Sequence, residues 1–465
     1  MPLDRKGERL SLSIDGRNFS SLHFAGIMGS GMSAIAQYLA WEGLIISGSD
    51  RIAFADEMKE TKEKLERCGC NLFPQDGSGI TSATEALVIS TAIEDDNPDI
   101  AAARKLGIPI FHRSDVLAAI VASHRTIAVC GTSGKSTVTA LIFEILRACG
   151  KSPSLITGAT LICLNAEGFF GNSFKGDSDR LIIEADESDG TLVKYRPETA
   201  VFLNISKDHK SVAQALELFE RLAGQTPSVI TNGDDPGLKS IQAALQFGLS
   251  DSVDFRPESV KAVTPSVRFT LKGTDFELPL PGRHNLSNAF AALCVCENEG
   301  CNLERMVEPL REFKGVMRRF SVSRTPKGIT VIDDYAHNPD KIKAALLTAR
   351  DFGARLFAVF QPHGYGPTRF LKDELVETFA RLIRDNDEVY FLPIYYAGGT
   401  VKKDISSEDL AVWVRKRGVM SYAPQSRQGL LADLAQRVKP GDTVILMGAR
   451  DPTLSLLAQE IKDSL

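Results

Sequence analysis

The segment Gly131-Thr132-Ser133-Gly134-Lys135-Ser136-Thr137 stands between an apolar run, Thr126 to Val129, and an apolar-periodic stretch from about Ser136 to Cys149. A glycine-rich turn between a strand and a helix gathers backbone N–H groups at a helix N-terminus, where they can cradle phosphates. Lys135 can reach the β- and γ-phosphates, and the Ser136 hydroxyl can ligate Mg²⁺. The complete motif would place glycine at 129, where this chain has Val129. The competing reading, a chance Gly-Lys-Ser turn, leaves the strand–loop–helix order unexplained.

Around this loop the chain alternates β-like and helical stretches, which predicts parallel sheets with helices on their faces. A length of 465 residues allows two to four domains at about 100–200 residues each. Three α/β blocks separate, at 1–122, 123–317 and 318–465. Strands are expected at Leu22–Ala25, Leu44–Ser47, Leu87–Ser90 and Ile108–Phe111 in the first, with a helix from Met32 to Trp41. The second adds strands at Leu181–Glu184 and Thr199–Leu203, an edge-like alternating ribbon from Val267 to Leu280, and a helix from Asn285 to Asn298. The third carries strands at Ile329–Ile332, Leu356–Phe360, Glu388–Phe391 and Thr443–Met447, with helices at Lys341–Arg350 and Leu371–Arg384.

Composition removes several classes. With 43% hydrophobic and 24% charged residues the chain can bury several cores and is not disordered. A net charge of −5 supplies no basic excess for nucleic acid or an anionic membrane. No apolar run approaches the ~20 residues of a membrane helix, and the first residues lack the apolar core of a signal peptide. Eight scattered cysteines, including the C-x-C pairs Cys68/Cys70 and Cys294/Cys296, make no disulfide scaffold and lack zinc spacing. A reduced cytoplasmic protein is expected.

A second glycine loop, Gly26-Ile27-Met28-Gly29-Ser30-Gly31, follows the first strand and opens a helix. Its backbone can approach a diphosphate, and Asp50, at the end of the next strand, can hold a ribose or base edge. The spacing is G-x-x-G-x-G rather than the dinucleotide G-x-G-x-x-G. A ligand-free tight turn is the competing reading. Carboxylates cluster in Glu184-Ala185-Asp186-Glu187-Ser188-Asp189, just past a strand end, and His209 lies just past the following one. Hard oxygen ligands on the edge that carries a phosphate loop suit Mg²⁺; a solvated acidic loop and a structural histidine are the alternatives.

Taken in order, these segments resemble the Mur ligase family, closest to its alanine-adding branch. The resemblance rests on H-F-A-G-I-M-G-S-G-M-S (23–33), S-T-A-I-E-D-D-N-P (90–98), G-T-S-G-K-S-T (131–137), E-A-D-E-S-D (184–189), G-R-H-N-L-S-N-A (282–289), F-K-G-V-M-R-R-F (313–320) and D-D-Y-A-H-N-P (333–339). It implies a Rossmann-like N-terminal domain that binds a UDP-sugar, a central P-loop ATPase-like domain, and a C-terminal Rossmann-like domain for the amino acid. It assigns ATP to Gly131–Thr137, His284, Asn285, Asn288, Arg319 and Asp334. Mg²⁺ falls to Ser136, Glu184 and His209, and the UDP-sugar and acceptor to Gly26, Gly29, Ser30, Gly31, Met32, Asp50, Thr91 and Arg369. Lys135, His209 and His337 would act in catalysis. The implied reaction activates the muramoyl carboxylate of UDP-N-acetylmuramate with ATP as an acyl phosphate, which a small amino acid or peptide then captures. Partners are substrates alone, in a monomer or homodimer.

The chain departs from that pattern in its amino-acid half. After Gln361-Pro362-His363 the branch usually reads R-Y-[ST]-R-T-R, whereas Gly364 and Pro367 stand at the first two arginines and only Arg369 matches. Neither Gly nor Pro replaces a bidentate guanidinium. Ser133, Asn338, Ser211 and Arg450 also differ, the last standing where Gly-Ala-Gly is usual. The implied acceptor is therefore open: L-alanine, another amino acid, or a peptide. A nicotinamide oxidoreductase built on the first loop, and a non-catalytic nucleotide-binding homologue, are the other readings.

Overall fold

The computed structural model describes residues 10–207, 210–263, 265–396, 401–451 and 453–465. The chain forms two compact units, one covering most of the sequence up to Val316 and the other running mainly from Met317 to Leu465.

The first unit contains two largely parallel sheets. Their strands are near-continuous apolar runs because helices cover both faces. The smaller sheet has the order Cys70–Pro74, Ile45–Asp50, Ser21–Ala25, Ala86–Ile89, Ile110–His112, all parallel. Chain direction across the sheet reverses beside Ser21–Ala25, so the Gly26 loop sits where parallel sheets bind ligands.

The larger sheet has seven strands, with Arg125–Cys130 between Arg180–Ala185 and Thr199–Phe202. Only the edge pair Ser173–Phe174 and Ser154–Ile156 is antiparallel. The loops after these central strands therefore meet at one carboxyl edge: the Gly131 loop, the acidic 184–189 segment, and the segment after Phe202. Helix Lys135–Ala148 packs its apolar positions against the sheet, burying Val138, Leu141, Ile142, Ile145 and Leu146.

The ribbon expected as an edge of this sheet is a sheet of its own. Ser259–Val263, Ser266–Leu271 and Thr274–Leu278 form a separate three-stranded sheet. Phe269 explains the separation: it stacks on Phe276 at 5.3 Å and meets Phe290 of helix Arg283–Asn298 at 5.0 Å, so the ribbon's apolar face is covered by that helix.

The second unit is a six-stranded sheet in the order Ser321–Arg324, Thr330–Asp334, Thr443–Gly448, Leu356–Gln361, Glu388–Phe391, Ser421–Tyr422, parallel except for the first strand. The two outer strands escape sequence reading because short edge strands carry little alternation. The expected helix 371–384 begins earlier, as Tyr365–Leu382, with Gly364 at its N-cap in a left-handed conformation (φ 69°). The residues read as an altered arginine clamp are therefore that helix's first turn.

Candidate active site

Gly26 (φ 77°) turns the chain out of Ser21–Ala25, and the N–H groups of Gly26 and Ile27 both donate to Ser49 O, at 2.7 and 3.0 Å. Gly29 caps helix Ser30–Trp41 without a side-chain hydrogen bond, leaving the helix's first amides open to an anion. Asp50 does not project freely: its carboxylate accepts from Met28 N–H at 3.0 Å and Ile52 N–H at 3.2 Å, fastening the loop to the next strand. Burial pushes its carboxyl above the usual range despite these bonds. Thr91 is exposed just beyond Ala86–Ile89. Helical periodicity turns the Met32 side chain inward and it packs in the core, 3% exposed.

Sequence reasoning missed Arg113. A methyl group at Gly31 would lie 3.3 Å from Arg113 Nη1, while Arg113 Nη2 pairs with Asp189 Oδ2 at 2.9 Å. One guanidinium thus joins the first glycine loop to the acidic segment after Arg180–Ala185. Asn172 reinforces this link, donating to Ser30 O at 2.8 Å and Ser33 Oγ at 2.9 Å and accepting from Gln37 at 2.8 Å. These contacts join segments over a hundred residues apart, which no local pattern announces.

The phosphate loop is built as a cradle. Gly131 (φ 145°) and Gly134 (φ 87°) adopt conformations that side chains resist; a Cβ on Gly134 would also stand 2.4 Å from Asn288 Oδ1. Asn204 holds the loop from the neighbouring strand end: Ser133 N–H donates to its Oδ1 and its Nδ2 donates to Ser133 O, each at 2.9 Å. Thr132 is buried and accepts from Ser206 N–H through its hydroxyl at 3.0 Å. Ser136 and Thr137 lie buried in the helix's first turn.

Lys135 Nζ donates to Glu187 Oε2 at 2.8 Å and to Gly131 O at 2.7 Å, with Asp186 Oδ1 at 3.6 Å. Burial works to lower its pKa, but Glu187 and then Asp186 outweigh it, so the ammonium is held charged. Burial likewise opposes ionisation of Asp186, yet Lys135 and the Ser188 hydrogen bonds keep its carboxyl below the usual range. Glu184 accepts from the Thr157 hydroxyl, a residue just past the adjacent strand Ser154–Ile156. His209 lies outside the described residues. Among the described residues no three His, Cys, Asp or Glu side chains are grouped to hold a metal by themselves. Ser136, Thr157 and Glu184 still offer the hard oxygens that suit Mg²⁺, which draws most of its shell from water and phosphate.

Helix Arg283–Asn298 brings Asn285 and Asn288 onto one buried face, their side chains joined at 3.5 Å, with Asn288 against Gly134. His284 is exposed at the start of the same helix.

In the second unit, Arg319 lies over the Tyr335 ring, 4.9 Å from its centroid. Asp334 accepts from Phe320 N–H and Ala336 N–H, both at 2.7 Å, and burial pushes its carboxyl up to about 6 against the pull of Arg319. His337 Nδ1 contacts Tyr335 O at 2.9 Å, and its ring meets that of His363 at 5.3 Å. The Arg369 guanidinium pairs with Asp404, which Lys402 Nζ also approaches at 3.2 Å, and donates to Lys402 O at 2.9 Å.

Family models match in the same order as these elements: the Mur ligase family catalytic domain over 21–125, the middle domain over 129–296, and the glutamate ligase domain over 318–450. A UDP-N-acetylmuramate–L-alanine ligase of Gloeobacter violaceus is 34% identical over 443 residues, spanning 92% of each chain. The chain belongs to the Mur ligase family. A second relative of the same name, from Synechococcus sp. strain CC9605, is 36% identical over 463 residues, covering 92% of this chain and 96% of that protein. Among solved structures, the UDP-N-acetylmuramate–alanine ligase of Thermotoga maritima superposes with a TM-score of 0.78 at 26% identity, over 95% of this chain and 98% of that one. The α/β fold with Mur ligase N-terminal, middle and C-terminal domains follows from these matches. No described helix of this Mur ligase is long and apolar enough to cross a membrane.

Proposed function

We propose that this Mur ligase joins an amino acid to the muramoyl carboxylate of UDP-N-acetylmuramate, with ATP and Mg²⁺, in peptidoglycan precursor synthesis. The observation that carries the reading is the single carboxyl edge on which the Gly131 loop, Lys135 and the 184–189 carboxylates converge. Phosphoryl transfer requires positioning and charge neutralisation more than a protein nucleophile. The loop amides and Lys135 would neutralise the triphosphate, and Ser136 and Glu184, with His209, would hold Mg²⁺. Bound there, Mg²⁺ would supply charge neutralisation on the phosphate oxygens. The carboxylate attacks the γ-phosphoryl group and displaces ADP, and the resulting acyl phosphate is opened by the neutral amine through a tetrahedral intermediate that loses a proton and expels phosphate. Splitting amide formation this way replaces one steep barrier with two lower ones.

Asn285 and Asn288 would serve the nucleotide in the first unit; in the second unit Arg319 and Asp334 are proposed for the nucleotide and His337 for the acceptor. Gly26, Gly29, Ser30 and Gly31 would take the UDP diphosphate, with Arg113 above Gly31. The proposed domains are 1–122 for the UDP-sugar, 123–317 for ATP and 318–465 for the amino acid. The eight free thiols support a cytoplasmic protein. A monomer or homodimer that contacts substrates but neither nucleic acid nor membrane completes the proposal.

The acceptor carries a second reading. Gly364 and Pro367 stand where the alanine-adding branch has arginines, which keeps another amino acid or a peptide as the second reading. Phosphate release measured with UDP-N-acetylmuramate, ATP–Mg²⁺ and each of twenty amino acids tests both. Turnover that requires the UDP-sugar and one acceptor is expected. No turnover with any acceptor overturns the ligase reading, and a strong preference for L-alanine overturns the second.

A further inference from the structure

Three of the non-glycine residues with left-handed backbone, Arg318 (φ 59°), Phe320 (φ 53°) and Arg450 (φ 66°), belong to the second unit. Such conformations cost an L-residue about 1–2 kcal/mol and persist where surrounding bonds over-determine them. The turn at Arg450 is held in that way. Arg318 Nη2 donates to Gly448 O at 2.7 Å and its Nη1 to Asp451 O at 3.4 Å, while Asp451 N–H closes on Ala449 O at 2.8 Å. Arg450 N–H itself approaches the Tyr335 hydroxyl at 3.3 Å. A glycine would sit here without strain, so the arginine is retained at a cost.

Its guanidinium is not used by the fold. Arg450 is exposed and has no ion-pair partner among the described residues. The adjacent carboxylate, Asp451, is taken by Arg427 at 3.0 Å and by the backbone and hydroxyl of Thr453. The location is specific. Arg450 follows Thr443–Gly448, which lies between Thr330–Asp334 and Leu356–Gln361 in the sheet. The loops after those two flanking strands carry His337 and His363, whose rings touch. An uncommitted cation thus stands at the carboxyl edge between the two histidine-bearing loops, while Gly364 and Pro367 occupy the positions at which the resembling branch carries arginine.

We infer that Arg450 is the group that binds the acceptor's α-carboxylate in this chain. The inference rests on the ligase reading above and names a specificity residue within it. An amino acid with a free carboxylate is the ligand class, and its amide is excluded for want of charge. Tyr335, fixing the Arg450 backbone through its hydroxyl, acts as a positioning residue.

Steady-state kinetics with L-alanine and L-alaninamide, repeated with the best amino acid of the screen and its amide, test the assignment. In R450A the KM for the free amino acid is expected to rise at least tenfold, with KM for ATP and the UDP-sugar unchanged. The amide, poor in the wild type, loses nothing further, so discrimination between the two collapses. R450K retains part of it, and the melting temperature of R450G does not fall. Wild-type turnover with an unchanged acceptor KM in R450A overturns the inference and leaves the ligase reading standing; so does an equal loss for acid and amide. Wild-type inactivity toward every acceptor overturns both.

Discussion

Lys135 Nζ and Glu187 Oε2 lie 2.8 Å apart, both side chains largely buried, at the mouth of the phosphate loop. The carboxylate keeps the lysine charged against the pull of burial. Breaking a buried pair from one side leaves an uncompensated charge, which costs about 3–5 kcal/mol. Glu187→Gln is therefore expected to lower the melting temperature of the free protein markedly, with ATP–Mg²⁺ restoring most of the loss. Thermal melts with and without nucleotide check this; a loss that nucleotide does not repair would sink it. Lys135→Met should reduce phosphate release by at least a hundredfold.

Asn204 grips Ser133 through both its amide atoms, at 2.9 Å each. Each such bond contributes about 1 kcal/mol. Asn204→Ala should raise the KM for ATP roughly tenfold by loosening the loop, while the KM for the UDP-sugar stays put. Equal changes in both constants would mean a general loss of folding.

Arg113 joins Gly31 to Asp189 across segments of the first unit. If the first loop takes the UDP diphosphate, Arg113→Ala removes a cation from that site and leaves Asp189 with its Thr191 hydrogen bonds but without its ion-pair partner. The KM for the UDP-sugar is expected to rise tenfold or more, well beyond any change for ATP. Isothermal titration of UDP-N-acetylmuramate into the variant provides a readout independent of turnover, and undiminished affinity would remove Arg113 from the site.

His23 is fully buried in Ser21–Ala25, with Nδ1 on Ser47 Oγ at 2.8 Å and Nε2 without a partner. Burial pushes its imidazole down to about 4, against 6.5 for the ordinary group. The folded protein then binds fewer protons than the unfolded chain below about pH 6.5. Its contribution to stability is intact above that pH and falls as pH drops toward 4, by about 3 kcal/mol in all. Urea denaturation between pH 7 and 4.5 should show this slope, and His23→Leu should flatten it even where it lowers stability at pH 7.

What could be read in advance follows the range of the interactions. The two glycine loops were legible because a phosphate cradle is made of consecutive backbone amides, so its requirements are written in consecutive residues. The place of Glu184 at the carboxyl edge was legible because parallel strand ends share one edge. The inward packing of the Met32 side chain and the pairing of Arg369 with Asp404 were not legible, because each depends on contacts with segments elsewhere in the chain.

The alternation of apolar runs and helical stretches was enough to determine parallel α/β layers, and contiguous motifs were enough to determine the family, since both depend on local spacing. Tertiary structure alone decided which charges are spent and which are available. Arg113, Asn204, Asn288 and Thr157 join their sites from distant segments, and Arg450, unlike Arg369, has no ion-pair partner among the described residues. Coulomb and hydrogen-bond partners are set by distance in space, which the order of residues along a chain does not specify.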